Sequence, residues 1–219
     1  MVYEEIETQN NQDFRMNIKK LIKNLFNPSY WRFDWEQYRE TYSYDLEFNA
    51  SFRGIPVMTK KELAMPQYKY LKLYRKTQAA ENTIWYRFLY KRLVKMSYAT
   101  NIGLYENMHL PKGLIIGHAG DIVVNGNATF EGNIMITHGV TIGRDIRGKR
   151  AGSPHFGRDV VVRCYSTVVG NINIGDDVLI APNTFVNFDV PSHSVVIGNP
   201  AIIHHREHAT EGHIGIVKK

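Results

Sequence analysis

The C-terminal half of the chain carries a hydrophobic residue at every sixth position. The spacing is broken only twice, by one step of eight residues and one of fourteen. A helix would need a period of about 3.6 residues, and an ordinary hairpin sheet would not keep a six-residue spacing over this length. The pattern predicts a triangular β-solenoid, in which each hexapeptide forms one short strand and one corner and three hexapeptides form a coil. The repeated positions are Leu104, Leu110, Ile116, Val124, Phe130, Ile136, Ile142, Phe156, Val162, Val168, Ile174, Ile180 and Val186.

The N-terminal half has a different pattern, which predicts helices. Residues 14–26 place apolar side chains on one helical face, and Pro28 ends the run. An irregular aromatic stretch follows, and Pro66 opens a second helical region that extends to about Thr100. In this second region basic residues alternate with tyrosine, tryptophan and phenylalanine. We expect the aromatic rings to pack inward and the bases to be solvated.

These patterns predict an α+β protein with three parts. Residues 1–100 form an N-terminal helical region, residues 101–204 form the parallel β-helix, and residues 205–219 form a C-terminal tail. The tail contains four histidines without a helix or strand pattern. We interpret it as a cap followed by a loose end, not as a metal site.

Charge separates the two halves further. The net charge is +6, and residues 13–100 hold 17 Lys and Arg against 8 Asp and Glu, whereas residues 101–219 hold 10 of each. The basic, aromatic helices therefore have one alternative interpretation, peripheral contact with an anionic membrane surface or an acidic glycan. Nucleic acid is not expected, because no known binding motif accompanies the charge.

Composition limits the class of protein and the compartment in which it is expected. An apolar content of 43% is ordinary for a globular protein, and the single cysteine, Cys164, excludes an internal disulfide. The chain has no apolar run of about 20 residues, and its acidic start is unlike a secretory signal. The sequence therefore predicts a cytoplasmic protein.

Four segments together resemble the serine-acetyltransferase-like branch of the hexapeptide acyltransferases, a branch also found in capsule and exopolysaccharide synthesis. They are 117–124 (GHAGDIVV), 138–143 (HGVTIG), a basic loop ending at Ser153-Pro154, and 198–201 (GNPA). The resemblance covers about residues 66–204. It implies a left-handed parallel β-helix, a homotrimer, acetyl-CoA as the donor, and O-acetylation. Parallel crossovers are otherwise right-handed, so the predicted handedness depends on the resemblance alone.

The repeat places two histidines side by side. Because Ile116, Ile136, Val162 and Ile180 fall on one face in successive coils, the residues two positions later form a column. Neighbouring strands lie about 4.8 Å apart, so the two imidazoles of this column are near neighbours. Like charges repel, so the pair would resist double protonation. At least one ring would then stay neutral, as a general base requires. The column is His118, His138, Cys164 and Pro182.

The resemblance assigns roles to this column. It implies that His118 deprotonates the acceptor hydroxyl, which then attacks the thioester, and the eight-residue step at this point predicts a bulged corner that turns the side chain outward. His138 either supports His118 or is an ordinary polar corner residue. Cys164 and Pro182 match small positions that line the acetyl-CoA groove of the family, although a small apolar filler is an equal interpretation of Cys164.

The second break in the repeat is a basic loop over residues 144–153. With Gly143, its residues Arg144, Lys149 and Arg150 are candidates to bind CoA phosphates or an anionic acceptor. The resemblance implies that this loop also closes the site across the trimer seam. The alternative to this flexible, positive binding arm is a solvated excursion that only keeps the protein soluble.

Three positions depart from the serine acetyltransferases. Gly103 and Gly117 replace aspartates, and Ser153 replaces a histidine that helps to hold serine; His155 lies one step too far along for strict alternation. Asp121, Glu106 or Asp145 could orient His118 in place of the missing aspartate. The base is therefore kept, whereas the groups that recognise serine are not.

These departures favour an acetyl-CoA-dependent O-acetyltransferase that acts on a sugar hydroxyl of a surface polysaccharide or its precursor. The alternative is a serine O-acetyltransferase of cysteine biosynthesis. A zinc-dependent carbonic anhydrase of the same fold would need three converging histidines, and His118, His138 and His155 do not have that family's spacing, so no metal is expected. A non-enzymatic scaffold would not require the motif around His118.

Overall fold

The computed structural model describes residues 25–104, 108 and 110–215 of the 219-residue chain. The helix predicted over residues 14–26 lies almost entirely outside these residues. A 3₁₀ turn at Pro28–Trp31 opens the described part and is followed by the helices α1 (Trp35–Phe52), α2 (Lys60–Leu63), α3 (Pro66–Ala79) and α4 (Ile84–Thr100).

Helix α1 is absent from the sequence prediction, which treated this stretch as irregular. Asp34 caps the helix, with its Oδ1 accepting a hydrogen bond of 2.9 Å from the Gln37 amide. The buried face carries Asp45 and Asn49 beside Phe48, so polar residues interrupt the apolar periodicity that would have indicated a helix. The stretch was therefore classified wrongly because its buried polar residues have partners elsewhere in the fold.

The second helical region is divided by a turn at residues 80–83, where Asn82 adopts a φ of +60°. In α3 the aromatic rings pack inward as expected, since Tyr68, Tyr70 and Tyr74 are buried. In α4 the expectation is wrong for Trp85 and Phe88, which are about half exposed. No helix among residues 25–104 and 110–215 is long and apolar enough to cross a membrane.

The repeats wind into three sheets, here called faces A, B and C. All neighbouring strands are parallel except the last two, β13 and β14. Face A comprises β1 (Ile102–Leu104), β3 (Ile122–Val124), β6 (Thr141–Gly143), β9 (Thr167–Val169) and β12 (Phe185–Val186). Face B comprises β2 (Leu114–Ile116), β5 (Ile134–Ile136), β8 (Val160–Val162), β11 (Val178–Ile180), β13 (Ser194–Gly198) and β14 (Ala201–His205). Face C comprises β4 (Thr129–Phe130), β7 (His155–Phe156) and β10 (Asn173–Ile174).

The six-residue frame is confirmed in register. Ile116 pairs with Ile136, Ile136 with Val162, and Val162 with Ile180, as the repeat predicted. Every repeated apolar position is buried except Phe130, which is half-buried and stacks on Phe156 with 4.9 Å between the ring centroids. The axis of the prism is therefore the main hydrophobic core, and it fixes which residues reach each corner.

An ion pair buried between the helices and the first coil joins the two halves. The Arg75 Nε of α3 lies 2.7 Å from Asp45 Oδ2 of α1, and both side chains are at most 1% exposed. Arg75 also donates to the carbonyl oxygens of Leu110 and Pro111, at 2.7 Å each. Asp45 Oδ1 accepts hydrogen bonds of 2.8 and 3.1 Å from the amides of Gly113 and Leu114. This junction ion pair therefore fixes the helices relative to the solenoid.

The described part of the tail, residues 206–215, packs against the solenoid, and the division of the tail into a cap and a loose end stays a prediction. Asp177 accepts hydrogen bonds from the amides of Ala209 and Thr210, at 2.9 Å each, and from the Thr210 hydroxyl at 2.7 Å. Ala209 packs on the outer side of face B together with Phe48 of α1. The tail and α1 thus cover an apolar surface made by Ile115, Met135, Val161, Leu179 and Val195.

The tail attachment should depend on pH. Burial alone would raise the pKa of Asp177, but hydrogen bonds from Thr210, His193 and Ala209 outweigh burial and hold this pKa below its usual value. The same Asp177 carboxylate, with Glu207 and Asp176 nearby, raises the pKa of His193. Ionised Asp177 stabilises the attached tail, and this stabilisation is lost as the pH falls below about 4. Protonated His193 adds to it, and its share is lost as the pH rises above about 6.5. The tail is therefore held most strongly between these pH values.

Hydrogen exchange of the Ala209 and Thr210 amides, corrected for intrinsic exchange rates, measures this dependence. We expect protection to decline on both sides of that pH window. Asp177→Asn should lower protection and remove both declines, whereas Glu211→Gln, at an exposed position, should leave the profile unchanged. A flat profile in the unaltered protein would show that these charges do not hold the tail.

Candidate active site

His118 and His138 are neighbours at the corner where face B turns into face A. Their ring centroids lie 5.8 Å apart with an interplanar angle of 72°. Cys164 and Pro182 occupy the same corner in the next two coils; Cys164 is a half-buried free cysteine and Pro182 is exposed. We call this column of four residues the histidine edge. The structure thus brings together the two histidines that the repeat placed side by side.

The backbone explains why His118 projects outward. The amide of Gly139, in the second coil, donates to the carbonyl oxygen of Gly120 at 3.0 Å. The backbone hydrogen bonds between the two coils therefore reach Gly120 in the first coil and pass over His118. Residues 118 and 119 are therefore extra residues that bulge from the corner. His118 is exposed, and within the described residues its ring has no hydrogen-bond partner. Its two nitrogens are accordingly free for a substrate.

His138 is the less accessible member of the pair. It is half-buried, and its Nδ1 is buried without a hydrogen-bond partner. Tyr165, which the sequence analysis did not single out, packs against it edge-on, with 5.2 Å between ring centroids and an interplanar angle of 89°. The three rings of His118, His138 and Tyr165 therefore form a continuous row along the edge.

The proposed partners of His118 lie elsewhere. Asp121 Oδ1 accepts a hydrogen bond of 3.3 Å from Asn101 Nδ2. Asp145 is at the corner between faces A and C, and Glu106 lies outside the described residues. The structure therefore shows no carboxylate that orients His118 among the residues it describes.

The two glycines that replace aspartates have packed surroundings. A Cβ atom at Gly117 would lie 2.8 Å from Thr137 Cγ2, so a larger side chain would require the threonine to shift. Gly103 lines a cavity of about 360 Å³ between α4 and face A, together with Tyr90, Tyr98 and Val123. Gly117 is therefore buried in a packed corner, whereas Gly103 borders a largely apolar cavity.

The basic loop is more ordered at its base than the sequence suggested. Asp145 and Gly152 exchange two backbone hydrogen bonds of 2.9 Å, and the Asn171 amide donates to the Arg150 carbonyl oxygen at 2.8 Å. The Arg150 guanidinium donates to the carbonyl oxygen of Asn187. Arg144 and Lys149 remain exposed. The base of the loop is therefore held by hydrogen bonds, while Arg144 and Lys149, with the exposed Arg147, stay available to a ligand.

A cavity of about 480 Å³ lies beside this loop, and Arg144, Asp145, Ser153 and His155 are among its lining residues. His155 therefore reaches the same groove as Ser153, although the strict alternation of strand residues predicted another direction. The His155 Nδ1 lies 2.7 Å from the Thr129 hydroxyl. We call this cavity the loop groove. Two adjacent lining residues, Arg144 and Asp145, carry opposite charges.

Within one chain, the histidine edge and the loop groove lie at different corners. The edge connects face B to face A, whereas Gly143 ends β6 of face A and the loop leads on to face C. The predicted ligand-binding residues thus divide into two groups, one with Cys164 and Pro182 and the other with Arg144, Lys149 and Arg150. A site that uses both groups needs a second copy of the chain.

A metal site does not emerge from the candidate histidines. His155 is on face C, away from the corner that holds His118 and His138. In the part of the chain that the structure describes, no three His, Cys, Asp or Glu side chains converge on a common point.

Curated proteins similar to this chain are serine acetyltransferases. The enzyme from Helicobacter pylori is 31% identical over 140 residues, which cover 64% of this chain and 81% of that protein. Serine acetyltransferase 2 of Arabidopsis thaliana is 34% identical over 109 residues, or 49% of this chain. The match spans only 33% of the plant protein. No family model matches the chain.

Solved structures similar to this chain are also serine acetyltransferases. The serine acetyltransferase of Neisseria gonorrhoeae in complex with serine is 26% identical, with a TM-score of 0.63 over 77% of this chain and 69% of that one. A serine acetyltransferase in complex with cysteine is 22% identical, with a TM-score of 0.62 over 81% of this chain. The predicted fold, N-terminal helices followed by a left-handed parallel β-helix, is confirmed.

The expected sugar acceptor is contradicted by these comparisons. Relatives that are 31%, 34% and 36% identical are all named serine acetyltransferase, and so is the structural neighbour that holds serine. The glycines at 103 and 117 and the serine at 153 therefore do not indicate a change of acceptor. The alternative, serine acetylation, is the better supported one.

Proposed function

The chain belongs to the serine acetyltransferase family of hexapeptide-repeat acyltransferases, and we propose that it transfers the acetyl group of acetyl-CoA to the hydroxyl of L-serine. The observation that carries this proposal is the pair His118 and His138, 5.8 Å apart at an exposed corner of the β-helix. The donor and the acceptor are inferred from family membership, and the general base is inferred from the histidine pair.

His118 acts as the general base. Its exposed ring accepts the proton of the serine hydroxyl while the hydroxyl oxygen attacks the thioester carbonyl carbon. The tetrahedral intermediate then collapses, the carbon–sulfur bond breaks, and the departing thiolate takes the proton back from His118. O-acetyl-L-serine and free CoA are the products, and no metal is required for this proton balance.

The donor lies along the histidine edge. Cys164 and Pro182 continue this edge from His138 toward the last coil, and their small side chains leave room beside the backbone. A pantetheine arm laid along the edge would bring its thioester to His118. The negative phosphates of CoA would be attracted to exposed bases of the loop such as Lys149.

We infer a homotrimer, the assembly that the family resemblance implies, and it accounts for a loop and a histidine edge that lie at different corners of one chain. In a closed ring, the loop of one protomer would face the histidine edge of the next. Gly143, Arg144, Lys149 and Arg150 would then serve a neighbour's His118. This arrangement completes each site with two chains.

The loop groove suits an amino acid acceptor. Serine carries a carboxylate and an ammonium group at one carbon, and Arg144 and Asp145 present opposite charges on adjacent residues of this groove. His155 lines the same groove, but its Nδ1 lies 2.7 Å from the Thr129 hydroxyl and its Nε2 lies 3.2 Å from Asn171 Oδ1, so both ring nitrogens already have partners. Arg144 and Asp145 would take over the recognition that Gly103, Gly117 and Ser153 do not provide.

Subunit complementation tests the shared site. We expect His118→Asn protomers and Arg144→Gln/Lys149→Gln protomers to be nearly inactive separately, each lacking one half of every site. After mixed refolding at equal amounts, about a quarter of the sites should combine an intact histidine edge with an intact loop, so turnover should recover to about a quarter of the unaltered value. Steady-state thiol release with acetyl-CoA and L-serine measures the recovery.

A matched control replaces the loop variant with Lys69→Gln, an exposed base on α3. This variant alone should keep full turnover, so its mixture with His118→Asn should fall in proportion to the inactive chains. Failure of the first mixture to exceed its two components, with mixed oligomers demonstrated, would contradict a site shared between protomers.

The cytoplasmic location and peripheral contact of α3 and α4 with an anionic surface remain predictions from the sequence. Neither is needed for serine acetylation. The exposed bases of α4, such as Lys91 and Arg92, are the residues that such a contact would use.

A further inference from the structure

Tyr165 occupies a backbone position that disfavours its own side chain. Its φ is +59°, in the left-handed region. At the same corner, the preceding coil has Gly139 with a φ of +71° and the following coil has Asn183 with a φ of +57°. Glycine and asparagine tolerate this conformation, whereas a bulky aromatic residue is a genuine outlier there. A tyrosine at this position points to a function for its ring.

The ring is placed against the base pair. Tyr165 is 59% exposed, and its ring lies edge-on to His138, with 5.2 Å between centroids. A Cβ atom at Gly139 would lie 2.4 Å from the Tyr165 ring, so the glycine makes room for it. His138 in turn lies 5.8 Å from His118. One side of His138 is therefore bounded by the tyrosine and the other by the proposed base.

We propose that Tyr165 is a positioning residue, whose ring fixes the orientation of His138 and, through it, that of His118. His138 needs such a support, because its Nδ1 is buried without a hydrogen-bond partner and no hydrogen bond of this atom selects one ring rotation. Edge-on aromatic contacts have a preferred geometry and supply this selection. This inference rests on the proposed function, since the orientation of His118 matters only if His118 transfers a proton.

The test compares Tyr165→Asn with Tyr165→Phe. The asparagine variant copies Asn183, relieves the backbone strain and removes the ring, whereas the phenylalanine variant keeps the ring. We expect Tyr165→Asn to lower kcat by about 10-fold to 100-fold with little change in the KM of L-serine, because a small displacement of a reacting group is costly. Its melting temperature should not fall. Tyr165→Phe should restore most of kcat.

Nuclear magnetic resonance of the histidine rings gives a readout independent of turnover. The ring current of Tyr165 should shift the His138 ring protons, which a His138→Asn spectrum assigns. That shift should persist in Tyr165→Phe and disappear in Tyr165→Asn. A kcat of Tyr165→Asn equal to that of the unaltered protein would overturn the proposal, as would a loss explained entirely by a lower melting temperature.

The two hypotheses can fail separately. If the unaltered protein transfers no acetyl group to L-serine, the proposed function fails. In that case the His118 ring resonances decide the positioning role: they should change in Tyr165→Asn and not in Tyr165→Phe, and unchanged His118 resonances in Tyr165→Asn would overturn it.

Discussion

Replacing His118 with asparagine is expected to lower kcat for acetyl transfer to L-serine by about 10²–10⁴-fold. Asparagine retains a polar side chain of similar reach but cannot accept the hydroxyl proton. His118 is exposed and makes no hydrogen bond to any residue that the structure describes, so the fold should be unaffected. Thiol release from acetyl-CoA at saturating L-serine measures kcat, and a thermal unfolding curve checks the fold.

His204→Asn is the matched control for this variant. His204 is exposed on β14, outside the histidine edge, so its replacement should leave kcat unchanged. A decrease of kcat by less than about threefold in His118→Asn would contradict its role as general base, since general-base help is typically larger than that.

The largest expected effect on stability comes from the junction ion pair. Asp45→Asn should lower the free energy of unfolding by about 3–5 kcal/mol, because it leaves the buried Arg75 guanidinium without a countercharge. The Arg75 and Asp45 side chains are at most 1% exposed, so water cannot replace the lost partner. Urea unfolding followed by circular dichroism measures the loss.

The chain offers an exposed pair for comparison. Lys112 Nζ lies 2.7 Å from Glu40 Oε1, with the two side chains 49% and 67% exposed. Lys112→Gln should cost at most about 1 kcal/mol, since exposed ion pairs contribute little. Equal losses for Asp45→Asn and Lys112→Gln would show that burial does not set the strength of the junction.

The β-helix was predictable from the sequence, whereas the helix before it was not. The six-residue spacing identifies inward residues directly, and the register of Ile116, Ile136, Val162 and Ile180 follows from counting. Helix α1 has Asp45 and Asn49 on its buried face, and their partners Arg75 and the Leu114 backbone are distant in sequence. Periodicity alone cannot show that a polar residue is buried when its partners come from other elements.

Only the part of the site that depends on the backbone repeat could be predicted from the sequence. The proximity of His118 and His138 follows from the repeat, because it depends on the backbone frame alone. The contact with Tyr165 depends on a side chain entering space left by Gly139 in the preceding coil, and no periodic pattern indicates that. The acceptor was assigned wrongly because missing family residues were taken as a change of substrate. Strict alternation of strand residues directs His155 away from the site, whereas the structure places it in the groove beside Arg144.

Acetyl transfer to L-serine is the measurement that tests the central claim most directly. Purified protein is incubated with acetyl-CoA labelled in the acetyl group, with L-serine, and separately with a panel of free and nucleotide-linked sugars. We predict labelled O-acetyl-L-serine, identified by mass spectrometry, from the unaltered protein and almost none from His118→Asn. Labelled sugar without labelled O-acetyl-L-serine, or no labelled product from any acceptor, would contradict the account.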